Sequence, residues 1–235
     1  MSFTLGNILA CFVPGTDNRR KVRSWAVLAA FRPSIKRFIR ETYGERAASI
    51  KPVRQITLNR AVYLVNGKYF VKVFRNVSNK RLKEFEFLVN HIRPFVSVNI
   101  PRVVVDRKSP MYLCKMVGGH SIYKFSKTKV LKNEKKLLRQ LGEIIAELQR
   151  IDVSKIPNNE RFMDSMQLRT REKPTDNKKL VLAHFDLNES NFLYDKNMNI
   201  VAVIDWDTLS VARNPETDMT IFMKYWKMYV HRISN

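Results

Sequence analysis

His184-Phe185-Asp186-Leu187-Asn188-Glu189-Ser190-Asn191 decides the reading of this chain, and Ile204-Asp205-Trp206-Asp207 completes it. Asp186 and Asn191 stand five residues apart on one polar segment, and Asp205 follows Asn191 by fourteen. Two short apolar runs, NFLYD (191–195) and IVAVID (200–205), lie on either side of Lys196-Asn197-Met198-Asn199. That turn-rich tetrapeptide predicts a hairpin. A hairpin returns Asp205 to the point the chain left at Asn191, so two carboxylates and an amide come to one mouth.

Phosphoryl transfer asks for such a set. It needs a carboxylate near the attacking hydroxyl and oxygen ligands that hold magnesium on the phosphates. The order, with a loop carboxylate first, an amide five residues on and a second carboxylate after a hairpin, is the catalytic-loop and metal-aspartate layout of kinases.

Working outward, the preceding segments supply two lobes. RQITLNRAVYLV (54–65) and KYFVKVFR (68–75) alternate about Asn66-Gly67, a strong hairpin signal. SNKRLKEFEFLVNHI (78–92) predicts a helix with Leu82, Phe85, Leu88 and Val89 on one face and Ser78 able to cap it. IPRVVVD (100–106) and MYLCKMV (111–117) predict two further strands, ended by Gly118-Gly119. The next segment, NEKKLLRQLGEIIAELQRI (133–151), repeats leucine and isoleucine at helical spacing, with Asn133 as its expected cap. Residues 152–179 are polar and irregular.

The paired motif resembles that of the aminoglycoside phosphotransferase and choline kinase family. Its members carry His-x-Asp-x-x-x-x-Asn and then Ile-Asp-x-[Asp/Glu]; His184, Asp186, Asn191, Asp205 and Asp207 match in type and spacing. Asn214-Pro215-Glu216-Thr217-Asp218-Met219 resembles the family's later Pro-x-x-Asp-Leu segment, whose aspartate is structural. The helix ending at Asp152 resembles the one leading into the catalytic region, with Gln149 where a histidine is common. The likeness runs from about residue 55 to 225.

It implies an α+β, two-lobed protein-kinase-like fold: an antiparallel-sheet N-lobe over 50–117 and a mainly helical C-lobe over 118–235, after a basic segment 1–49. It also implies ATP and Mg2+ as cofactors. By the same resemblance Asp186 orients or deprotonates the acceptor hydroxyl, Asn191 and Asp205 bind magnesium, and His184 braces the loop. Lys72 contacts the nucleotide phosphates, paired with Glu84 in preference to Glu86, and the nucleotide lies near residues 114–118, Met116 among them.

Departures sharpen this. The turn around Leu58-Asn59-Arg60-Ala61 holds no glycine, so a Gly-rich phosphate cover is not expected. Asn188 stands where protein kinases place a lysine, and no activation-loop signature follows Asp205. With about seventeen residues after Asp218, the helices that wall the family's acceptor pocket are largely missing, which implies an open site for a bulky acceptor.

Charge bears on the acceptor. Forty-three Lys+Arg against 21 Asp+Glu give +22, which draws phosphate-rich or acidic partners and repels cationic ones at long range. Between Arg19 and Arg40, basic residues interleave with Trp25, Phe31, Ile35, Phe38 and Ile39, a composition suited to an anionic membrane surface or to a helix packed on the main domain. The stretch from Phe12 to Arg40 also looks like the basic leaders of some bacterial lipopolysaccharide and capsule enzymes. A sugar hydroxyl of a surface glycan or glycolipid is therefore the favoured acceptor. A choline, ethanolamine or aminoglycoside kinase and a non-catalytic kinase-fold binding protein are the alternatives. No recognised nucleic-acid motif is present, so nucleic acid is not an expected partner. Cys11 and Cys114 form no disulfide framework, the first fifteen residues lack signal-peptide features, and no run is long enough to span a bilayer. These readings place the protein in the cytoplasm, with a peripheral position at the inner face of the membrane open to it.

Overall fold

The computed structural model describes residues 16–53, 60–74, 77–156, 180–212 and 214–234, with side chains from residue 29 onward. Several expectations fall outside these residues: the first strand before Arg60, the glycine-free turn at Leu58-Asn59, Cys11, the leader around Phe12 and the stretch 157–179. The chain divides into two compact units, residues 1–86 with 103–116 and residues 87–102 with 117–235.

The first unit begins with helix α1 (Thr16–Tyr43) and strands β1 (Ile50–Pro52), β2 (Arg60–Val65) and β3 (Tyr69–Phe74). Helix α2 (Asn79–Ile92) and strands β4 (Val103–Val105) and β5 (Met111–Lys115) follow. Among the described residues the sheet is antiparallel, in the order β1-β2-β3-β5-β4. Asn66 and Gly67 both take positive φ, 53° and 66°, as the tight β2–β3 turn requires.

Alternation along β2 and β3 sets the two faces of this sheet. Ala61, Tyr63, Val65, Tyr69, Val71 and Val73 turn to one side and pack with Ile35, Phe38 and Ile39 of α1. Of the apolar residues read as a candidate membrane face, Ile35, Phe38 and Ile39 are thus core, 0 to 4% exposed, and Phe31 packs partly buried against them. Burial of side chains this size stabilises by about 1.5–3 kcal/mol each. Arg37, from the basic side of α1, pairs with the buried Asp106 just after β4, and Lys108 Nζ meets Glu41 at 3.0 Å.

Lys72 sits on the opposite face, 8% exposed, paired across the ladder with Tyr112. The Phe85 ring of α2 lies 5.2 Å from the Tyr112 ring, so the first half of α2 covers the Lys72 face. Ser78 caps that helix as expected, its Oγ accepting the Arg81 N–H at 3.3 Å.

The second unit takes up residues 87–102, which the sequence reading had assigned to the N-lobe. The reason is backbone pairing: Asn99 N–H donates to Val201 O at 2.9 Å and Asn99 O accepts from Val203 N–H at 3.1 Å. Helices α3 (Lys127–Lys132) and α4 (Glu134–Arg150) come next, then strands β6 (Val181–Ala183), β7 (Phe192–Tyr194), β8 (Ile200–Val203) and β9 (Ser210–Ala212), and helix α5 (Thr217–Ser234). Strand β6 pairs with β9, and β7 with β8 as the hairpin reading expected. Asp195 closes that hairpin, its carboxylate accepting from Asn197 N–H, Asn199 N–H and Asn199 Nδ2 at 2.7–2.8 Å.

Asn133 does not cap α4 with its side chain, against expectation. It ends α3 immediately before, and its Nδ2 is spent on the Lys129 carbonyl at 2.8 Å. The stripe Leu137, Leu141, Ile144, Ile145 and Leu148 of α4 is buried. Among the described residues no helix is long and apolar enough to cross a membrane.

Gly119 lies where chain and hairpin meet. At φ +133° a Cβ there would come within 2.6 Å of Leu193 Cβ and 3.1 Å of Val201 Cγ2, beside the His120–Tyr194 bridge. Gly119→Ala is therefore expected to destabilise the protein by about 1–3 kcal/mol in chemical denaturation. Gly118→Ala, with nothing within 4 Å of the added carbon, is expected to be near neutral.

Candidate functional site

All four polar atoms of His184 are hydrogen-bonded, and its side chain is 0% exposed. Its backbone N–H donates to Asp218 Oδ2 at 2.8 Å, and its carbonyl accepts from Thr208 Oγ1 at 2.6 Å. Nδ1 accepts the Asp186 N–H at 3.3 Å. That bond leaves Nδ1 without a proton, so Nε2 is the donor to the Ile204 carbonyl at 3.2 Å. The Trp206 ring lies 4.5 Å from the imidazole, centroid to centroid.

Ile204 is held from both ends. Its carbonyl takes the His184 proton, and its N–H donates to the Asn191 carbonyl at 2.9 Å. Asp205, the next residue, is thereby fixed beside the 184–191 loop. Its own backbone is left-handed, φ 62° and ψ 56°, ahead of a short turn at Trp206–Thr208. Phe185 is left-handed too, φ 62°, although bulky residues rarely are. Asp218 holds it there: Oδ1 accepts the Phe185 N–H at 2.8 Å, alongside the Oδ2 bond to His184.

The Asp186 carboxylate is gripped by two side-chain amides. Asn188 Nδ2 donates to Oδ1 at 3.1 Å, and Asn191 Nδ2 donates to Oδ2 at 3.2 Å. Both amide groups also reach the Asp186 carbonyl, at 3.1 and 2.8 Å. Asn188 Oδ1 is occupied in turn by the Ser190 N–H at 3.0 Å and the Ser190 hydroxyl. With its nitrogen committed to Asp186, Asn191 turns its oxygen away from that carboxylate. An amide oxygen and the Asp205 carboxylate are hard donors of the kind magnesium takes, one or two from protein and the rest from water and phosphates. Among the described residues no three His, Cys, Asp or Glu side chains converge as a metal-holding group.

Structure therefore brings His184, Asp186, Asn191 and Asp205 into one hydrogen-bonded constellation in the second unit. Lys72, Glu84 and Met116 belong to the first unit. There the Lys72 ammonium lies 5.8 Å from the Tyr112 ring centroid. Glu86 spends Oε1 on the Val105 N–H at 3.0 Å, a bond that ties it to β4. Met116 is 51% exposed, and its N–H donates to Lys68 O at 2.7 Å.

Three contributors carried no sequence signal of their own. Thr208 is one of many threonines until the fold sets it under His184. Asn188 stood out only as a departure from the protein-kinase lysine, yet it holds the Asp186 carboxylate. Glu189 is 7% exposed, with Oε1 accepting from Tyr123 OH at 2.9 Å and Oε2 buried without a partner among the described residues. The Tyr123 phenol is pushed up to about 12 by burial and by that bond.

Residues 49–173 and 160–228 match the profile of the phosphotransferase enzyme family, APH. Among solved structures, the streptomycin–ATP–APH(2")-IIa ternary complex superposes with a TM-score of 0.62 at 14% identity, over 86% of this chain and 82% of that one. The GDP complex of wild-type aminoglycoside 2'-phosphotransferase-IIIa gives 0.60 at 16% identity, over 86% and 81%. Macrolide 2'-phosphotransferase MphH from Brachybacterium faecium gives 0.53 at 15%, over 86% and 83%. At such identities the likeness is one of fold, the protein-kinase-like fold. No curated protein sequence matches the chain.

Asp218 is 1% exposed. Burial lifts its carboxyl from 3.8 to about 6, against the pull of the two backbone N–H bonds. Folded protein therefore holds this proton more tightly than unfolded chain, and the group's contribution to stability falls as pH rises through that interval. Asp218→Asn leaves one of two buried N–H groups without an acceptor and is expected to destabilise by about 1–3 kcal/mol. Denaturant titrations should show the wild-type advantage over the variant shrinking from pH 3.8 to about 6 and level above that.

Proposed function

The chain belongs to the phosphotransferase enzyme family, and on that premise we propose that it transfers the terminal phosphoryl group of ATP to an alcohol hydroxyl of a non-protein acceptor. The observation that carries this reading is the clamped Asp186 carboxylate, gripped by Asn188 and Asn191 and joined through Ile204 to Asp205. Asp186 accepts the hydrogen bond of the incoming hydroxyl and turns its oxygen toward the phosphorus. The two amides fix the carboxylate rotamer, so little orientation is left to settle at the moment of reaction. Asn191 Oδ1 and the Asp205 carboxylate would hold magnesium, whose part would be to neutralise phosphate charge. His184 is a positioning residue: it carries no proton to or from substrate and keeps loop and hairpin end in register.

Lys72 binds the nucleotide phosphates, with Glu84 as its carboxylate and Met116 near the base. That Glu86 is tied to β4 favours Glu84 for the part.

The favoured acceptor is a sugar hydroxyl on a bacterial surface glycan or glycolipid of the lipopolysaccharide type. Support comes from the +22 charge, which suits a phosphorylated or acidic acceptor and disfavours choline, ethanolamine or an aminoglycoside at long range. The named neighbours are aminoglycoside and macrolide phosphotransferases, so those compounds belong in the same acceptor screen.

Asp186→Ala should lower transfer by about 10²–10⁴-fold with the thermal unfolding midpoint little changed. In Asp205→Ala the extra thermal stabilisation that magnesium adds to ATP should disappear. Full transfer in both variants would reject the mechanism. Transfer to free choline or an aminoglycoside alone would reject the glycan acceptor and leave the mechanism standing.

A further inference from the structure

The outer face of α5 has no role in the chemistry above, and it is unusual. Phe222, Trp226 and Tyr229 fill the inner face, 2 to 3% exposed. On the other side Tyr225 and Met228 stand 40% and 56% exposed, with Lys224, Lys227 and Arg232 exposed around them. From Met219 to Ser234 the helix carries no acidic residue.

The surface continues onto α3. That helix packs against α5, and Leu131 on it is 39% exposed. Just after it, Glu134 is held by the Trp226 indole N–H at 2.7 Å. Tyr123, 56% exposed, meets Tyr229 edge-on at 5.8 Å. Between Lys124 and Lys136 Glu134 is the lone acid; of the six lysines there, four are exposed, and Lys129 and Lys136 donate to the Lys196 and Asn197 carbonyls at 2.7 and 2.8 Å. Leu131, Tyr225 and Met228 thus stand exposed on α3 and α5 among exposed lysines, while the Tyr123 hydroxyl turns inward to Glu189.

We propose that this α5–α3 face docks the protein on an anionic phospholipid surface. Tyrosine, methionine and leucine tips seat below the headgroups while flanking lysine stems lie along them with their ammonium groups in the headgroup layer. Lysine, a point charge, suits lipid phosphates spread in two dimensions. A single-stranded nucleic acid would call instead for a basic groove with stacking platforms, and the exposed Leu131 and Met228 offer no ring on which a base could stack. The N-terminal helix cannot take the same part through Ile35, Phe38 and Ile39, because those side chains are the core of the first unit. The proposal stands whether or not the phosphotransferase reading does.

The test is co-sedimentation of the full chain with vesicles of phosphatidylcholine alone or with about 30 mol% phosphatidylglycerol, a charge density at which each basic residue near the surface counts. Binding to the anionic vesicles should exceed binding to neutral ones by about tenfold or more. Lys224→Glu with Lys227→Glu should lower it by a further tenfold or so. Lys80→Glu with Lys83→Glu, the same charge change on α2, should lower it by less than about threefold, which controls for the overall charge. Tyr225→Ser with Met228→Ser should abolish the binding that survives raised salt. Equal losses from the two charge pairs, or unchanged binding in the apolar pair, would overturn the proposal. So would tighter binding of a single-stranded oligonucleotide than of the vesicles, lost in Lys224→Glu with Lys227→Glu.

Discussion

One residue, His184, ties the loops of the second unit together. Its ring nitrogens meet the Asp186 loop and the end of the β7–β8 hairpin at Ile204, and its backbone meets the turn at Thr208 and the first turn of α5 at Asp218. Each bond is worth about 1 kcal/mol net, but leaving any of these buried groups unmade costs more. The arrangement therefore specifies one structure more strongly than it stabilises it. An alternative packing of this region would have to find partners for four polar atoms in a place that water does not reach.

The first unit solves a different problem. Its sheet is covered on one face by α1, whose aliphatic and aromatic residues close the core, and on the other by the start of α2 over Tyr112 and Lys72. A lysine kept 8% exposed on such a face is costly unless a function or a partner justifies it. The pairing of Arg37 with buried Asp106 anchors α1 to the end of β4, so the basic helix and the edge of the sheet move as one piece. Basic residues are not all spent in this way, and α3 and α5 present some of the remaining lysines to solvent.

Much of this was legible in the sequence wherever the determinant is local. Asn66-Gly67 announces its own turn, the leucine and isoleucine stripe of α4 announces its buried face, and the contiguous 184–191 loop with its hairpin announces the site. What escaped depends on distant partners. Nothing in Ser210-Val211-Ala212 marks it as a strand until β6 lies beside it. Residues 87–102 join the second unit through the backbone of Asn99, which has no side-chain signature. Asn133 has the right residue type for a cap, yet the helix ending one residue earlier claims its amide. The orientation of the Asn188 and Asn191 amides could not be read either, because it follows from where the Asp186 oxygens lie once the loop is closed.

The left-handed backbone at Asp205 bears on how the protein can drift. Only glycine, asparagine and aspartate enter that conformation readily, so a lineage that loses its need for the chemistry can replace Asp205 with asparagine and keep the turn intact. His184 offers no such exit, since no other side chain accepts and donates at those two points in the same geometry. Decay of activity and decay of shape are therefore decoupled in this loop. On the role proposed for Asp205, descendants that retain His184 but carry asparagine at that position would be folded proteins released from catalysis, available for binding roles that the same scaffold can serve.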